Sequence, residues 1–244
     1  MSFGGDNSII GDFSFAFLKN VGFAPVDYAP TIPHQLFMMF QLAFAIITPA
    51  IISGSVAERM KFPAYLAFVL LWSTLVYDPI AHWVWGNGGW IREMGALDFA
   101  GGTVIHVSPF SALLIGFVGG ILCFFAVTEL KKRFGYDDAL DAFGCHGVGG
   151  IWGGISAGIF ATSTINPDIT GGLVDGNAGL LIAEIVSILA VTAYSAVVSF
   201  VIHSLHGETA YGSVSAAGLA VGAHEPVAIP ASPSISPKSS LVQK

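Results

Sequence analysis

The sequence predicts an all-α integral membrane protein, a polytopic bundle of about five transmembrane helices. Of its 244 residues, 54% are hydrophobic and only 10% charged, and the mean hydropathy is +0.73; soluble domains carry about 25% charged residues. The charges are bunched between neutral runs, as loops alternate with bilayer crossings of about 20 residues. The runs are apolar at every phase, which excludes the alternating pattern of barrel strands. Helices remain, because their backbone hydrogen bonds close within each segment.

The first segment, 1–34, has no basic region followed by an apolar core, so no cleavable signal peptide is expected. The transmembrane domain, 35–203, holds spans at 35–57, 62–85, 99–127, 142–163 and 177–202; the second carries Asp78 near one end and the fifth carries Glu184 inside. A carboxyl within a span needs a partner or a cavity, and a hydrogen bond between helices is the expectation for Glu184. Arg59 and Lys61 follow the first span, and Lys131, Lys132 and Arg133 follow the third, which places those loops in the cytoplasm. The loop around Arg92 and Glu93 and the loop at 166–177 then face outward. Five crossings put segment 1–34 on the extracellular or periplasmic side of the cell membrane and the tail, 204–244, in the cytoplasm. From Ile229 onward its Ser and Pro clusters lack the apolar content to fold.

The net charge of −7 is no guide to nucleic acid, but only nine Lys and Arg exist and they sit in short loops between spans, so no nucleic-acid partner is expected. Cys123 and Cys145 lie in apolar runs and read as packing residues rather than a disulfide framework. Rows of small residues, Gly150/Gly154/Gly158, Gly149/Gly153 and Gly116/Gly120, have the spacing that lets helices approach closely in lipid.

Two histidines carry the functional question. His106 and His146 lie inside separate spans, where an ionisable group is expensive without a partner or a water-lined path. A single buried histidine reads most simply as a structural hydrogen bond. Two on glycine-rich helices point instead to a pore lining, since neutral imidazole donates from one nitrogen and accepts at the other. Zinc is the competing chemistry, but two imidazoles without cysteine or carboxylate ligands at their level leave its shell incomplete. Asp98, at the start of the third span, fits either a helix N-cap or the stabilisation of a cation near the surface. Phe40 and Phe44 share a helix face, and Trp85 ends the second span at the outer interface. Packing and an aromatic belt account for them; a cation site on their π faces, worth up to ~2 kcal/mol when desolvated, is the alternative.

Four stretches together resemble the ammonium transporter family, the Amt, Mep and Rh proteins: Phe40 to Thr48 with Gly54 to Arg59, Ala81 to Gly86, Asp98 to His106, and Asp141 to Gly150. The resemblance implies roles position by position. Trp85 and Phe44 match an outer recruitment site for ammonium, and Phe40 matches the partner ring of a gate beside Phe44. Asp98 matches the acid behind that site, and His106 with His146 match the twin histidines of a narrow pore conducting ammonia. His206 to Gly212 looks like a tail motif through which trimers communicate. The implied partners are ammonium or ammonia, the lipid bilayer, a homotrimer or mixed trimer with intact subunits, and a cytoplasmic regulatory protein at the tail. No cofactor, resident metal or enzymatic role is implied.

Relatives have about eleven helices. The present chain resembles an internally deleted member, joined at Ser108-Pro109 and again within 202–206. An ammonium transporter is therefore the first functional expectation, a non-conducting sensor or regulatory subunit the second, and an intramembrane metal enzyme a distant third.

Overall fold

The computed structural model describes residues 1–56, 60–97, 108–136, 138, 141–165 and 169–210. Asp98, His106, Arg59, residues 211–244 and the side chains of 206–210 lie outside that description. The architecture is all-α. Helix α1 is His34–Val56; α2 runs from Phe62–Trp72 through a π-helical turn, Ser73–Tyr77, into Asp78–Trp85; α3 is the short Trp90–Glu93. Helix α4 is Pro109–Phe125, extended through a π turn, Ala126–Leu130, to Lys131–Phe134. Helix α5 joins a π turn, Phe143–Val148, to Gly149–Phe160, and α6 is Ala178–Ala210.

Four stretches are long and apolar enough to cross a membrane: His34–Gly54, Phe62–Glu93, Pro109–Phe134 and Ala178–Leu205. The fourth expected span, 142–163, corresponds to the 18 residues of α5, about 27 Å at an α-helical rise of about 1.5 Å per residue, close to the ~30 Å hydrocarbon core. The third expected span, 99–127, differs most. Its described helix begins at Pro109, whose missing N–H is harmless at a first turn, and Ser108 caps it by accepting the Ser111 N–H at 3.2 Å.

Prolines shape the other helices. Pro79 has no N–H for the Leu75 carbonyl one turn earlier; the Tyr194 hydroxyl of α6 donates to that carbonyl at 2.7 Å. Pro49 lies inside α1, and its own carbonyl accepts the Tyr65 hydroxyl of α2 at 2.9 Å. Proline-bent helices are thus tied to their neighbours by phenols.

Helix α6 joins the two parts of the bundle. On one side it packs against α2: Phe68, Val76 and Ile202 form a buried cluster with Ile52, Trp72 and Val198 around it. The Trp72 indole donates to Ser199 at 2.9 Å. Buried Glu184 accepts the Leu97 N–H at 2.7 Å, so the expected hydrogen bond of that acid is made to a loop backbone. On its other side α6 packs along α5, which leans on α4.

The glycine rows divide. A Cβ on Gly158 would lie 2.6 Å from the Leu181 Cα, a true close approach of α5 to α6. Gly116 and Gly120 face open space instead, so among the described residues they join no pair of helices. Around them Phe110, Leu113 and Phe117 are each more than two-thirds exposed, an apolar exterior that suits lipid. Of the cysteines, Cys145 is exposed and Cys123 partly so.

Candidate functional site

The C-terminal end of α2 carries the best-formed cluster. Phe40 and Phe44 stack edge to face with centroids 5.0 Å apart, as their i, i+4 spacing on α1 requires. Phe44 also meets Trp85 at 6.1 Å. Trp85 sits in the last turn of α2, where the Arg92 guanidinium donates to its carbonyl at 2.9 Å and to Asn87 Oδ1 at 2.9 Å. A cation on the final carbonyls is the favourable partner of a helix C-terminus. Phe40, Phe44 and Trp85, picked out separately in the sequence, therefore form one group.

Segment 1–33 lies against the same helix end. The Ser2 hydroxyl donates to Asp78 at 2.7 Å, the Trp83 indole donates to the Ile9 carbonyl at 2.6 Å, and fully buried His82 contacts the carbonyls of Ser2 and Asn7. Gly88 has φ +74, and a Cβ there would collide with the Asp6 backbone, so the turn after α2 needs glycine for both conformation and space. Tyr28 bonds His34 at 2.9 Å; burial, with the Asp27 carboxylate beside it, pushes its phenol up to about 12. A cavity of about 220 Å³ separates this segment from α1, lined by Phe37, Gln41 and Ala45 among others. None of Phe40, Phe44 and Trp85 is among the residues that line it.

His146 is placed differently. It lies in the π turn at the start of α5 and is exposed. That turn is set by Asp138, which accepts the Phe143 N–H at 2.6 Å, and by the Lys131–Asp141 ion pair at 2.5 Å. It packs chiefly on α4 and its π extension, away from the rings of α1 and α2. The motifs did not disclose the part played by His82, Ser2 and Tyr194, because their partners are backbone carbonyls or residues 76 to 119 positions away.

Fold and composition define a multi-pass helical membrane protein. The Ammonium Transporter Family matches residues 1–108 and 107–224. The chain belongs to the ammonium transporter family, a family of transporters rather than enzymes. It is 38% identical to the ammonium transporter of Bacillus subtilis (strain 168), aligning 83% of this chain with 76% of that protein, and 32% identical, with the same shares, to a putative ammonium transporter of Methanothermobacter thermautotrophicus. Among solved structures it is similar to Mep2 of Candida albicans, with TM-score 0.74, 21% identity, and 80% of this chain covering 69% of that one. Saccharomyces cerevisiae Mep2 gives 0.70, 22%, 82% and 72%. These structural likenesses establish the fold, part of an eleven-helix bundle.

The two family matches meet at residues 107–108, the join expected from Ser108-Pro109. In the Bacillus alignment, 83% of 244 residues, about 203, spread over 310 positions. About 107 positions within that alignment therefore have no counterpart in this chain.

Proposed function

We propose that the chain handles ammonium at a cell membrane, with Phe40, Phe44 and Trp85 forming an outer recruitment site whose π faces hold the cation. The observation that carries the reading is the convergence of those three rings from α1 and α2. A desolvated ammonium gains up to ~2 kcal/mol on such a face. In this reading Asp98 supports the site from behind, and His106 with His146 line the path along which ammonia crosses after the cation sheds its proton. Segment 1–34 lies outside, and the basic end of α4 and the tail lie in the cytoplasm. The tail is where a trimer partner or a cytoplasmic regulator engages.

A second reading is that the chain is a non-conducting sensor or a regulatory subunit joined to intact subunits. The exposure of His146 favours it, because a pore wall must cover that ring. Growth of a transporter-deficient yeast on low ammonium tests both. The 244-residue chain with the missing family segment restored is expected to rescue growth, and Trp85→Ala in that version to raise the half-saturating ammonium concentration by about tenfold. Failure of the restored version removes the transport reading. Co-purification of the unaltered chain with a full-length relative supports the subunit reading, and no association removes it.

A further inference from the structure

His82 is fully buried at the end of α2, three residues before Trp85. Its Nδ1 lies 2.9 Å from the Ser2 carbonyl oxygen, and its Nε2 is in hydrogen-bond contact with the Asn7 carbonyl oxygen. Both partners are acceptors only. Neutral imidazole has one N–H, so it would turn a ring lone pair towards a carbonyl lone pair; imidazolium donates to both. A buried cation needs compensation, and the helix and the segment packed on it both carry acids. Asp78 stands one turn earlier on the same helix, its carboxylate bonded to the Ser2 hydroxyl. Asp6 and Asp12 lie on the held segment. The Asp12 carboxyl is kept below the usual range first by the Ser14 hydroxyl and amide, with further attraction from the Met1 amino group and His82. Arg92, the other cation nearby, is turned to the Trp85 carbonyl and Asn87.

We propose that His82, as an imidazolium, is a positioning residue that clasps segment 2–9 onto the end of α2 and so fixes the helix turn that presents Trp85 to Phe44. Trp83 adds the third tie, to Ile9, and the glycines that follow leave room for the clasped backbone. A Cβ on Gly86 would strike the His82 ring and the Ser2 carbonyl. The presentation of Trp85 to a cation rests on the function proposed above; the clasp itself does not.

Two measurements on the full chain in lipid nanodiscs test the clasp without any transport assay. In protein labelled with ¹⁵N-histidine, with the His82 signals assigned by their loss in His82→Gln, both ring nitrogens are expected at imidazolium positions at about pH 6. Hydrogen exchange of residues 2–9, corrected for intrinsic rates, is expected to be about tenfold faster in His82→Gln than in the wild type at that pH, because the amide carries both its N–H groups on one nitrogen and cannot span the two carbonyls that the separated ring nitrogens reach. A neutral ring at about pH 6 overturns the clasp, as does unchanged protection of residues 2–9 in the variant. A clasp that passes both tests in a chain that fails to support growth leaves the positioning intact and removes only the transport reading.

Discussion

In the part of the chain before Ser108, Phe40, Phe44 and Trp85 come from two helices adjacent in both sequence and space, and their rings meet. In the part after it, His146 comes from an equally specific motif and stands exposed on a π turn. The difference is one of what each site requires. An edge-to-face pair four residues apart is made by one helix, and a third ring needs only the next helix to fold back. The proposed pore would need two walls, and the family segment missing at residues 107–108 would fall between them. What still unites the parts is α6, through Trp72–Ser199, Tyr194–Leu75 and Glu184–Leu97.

That contrast extends to helix packing, where the largest effect is expected. Gly158→Leu drives a branched side chain into the backbone at Leu181 and should destabilise the α5–α6 pair by about 3 kcal/mol, the upper range of overpacking. Gly120→Leu, on the open face of α4, should change stability by less than about 0.5 kcal/mol. Reversible unfolding in bicelles measures both. Equal costs would show that the open face of α4 is covered by something beyond this chain.

The sequence made the helical class, the Phe40–Phe44 pair and the irregularity at Ser108-Pro109 legible, because each depends on local patterns: apolar run length, i, i+4 spacing, and a proline within a neutral stretch; the meeting of Trp85 with Phe44 was implied only by the family resemblance. It did not separate Gly158 from Gly120. Both have the spacing of a contact row, and only the placement of α6 decides which row is occupied. Nor did it reveal His82 as a clasp, since its partners are backbone carbonyls that carry no sequence signal. Glu184 was intermediate: burial demanded a partner, and the Leu97 amide could be identified only in three dimensions.

The hydrogen bond from Tyr194 to Leu75 should contribute less than the packing of Gly158. Tyr194→Phe leaves a carbonyl that Pro79 has already deprived of its helical donor, and a cost of about 1 kcal/mol is expected. In a Pro79→Ala background the helix regains an N–H for Leu75, and the same change should cost about half as much or less. A double-mutant cycle on unfolding reads the coupling. Identical costs in both backgrounds would mean that the hydroxyl acts independently of the donor Pro79 lacks, and a cost near zero in both would mean that Tyr194 acts through its ring contact with Trp83, 4.7 Å between centroids, which phenylalanine keeps.

The smallest effect belongs to the loop between α5 and α6, where Asp175 accepts from the Thr162 hydroxyl at 2.8 Å, the Ser163 amide at 2.8 Å and the Ser163 hydroxyl at 2.9 Å. The Ser163 amide, then the Thr162 hydroxyl, then the Ser163 hydroxyl hold its carboxyl below the ordinary carboxylate range. A depressed folded-state value means that the tie contributes fully above the unfolded value of about 3.9 and is lost as pH falls through the folded one. Near neutral pH the loop should therefore be indifferent to pH, and a ¹³C carboxyl titration should place the Asp175 midpoint below about 3.9. Gly171 has φ +71 and a Cβ position 2.2 Å from Asp175 Oδ2. Gly171→Ala should push the carboxylate from its donors and return the midpoint towards the ordinary value; an unchanged midpoint would separate the depression from this loop geometry.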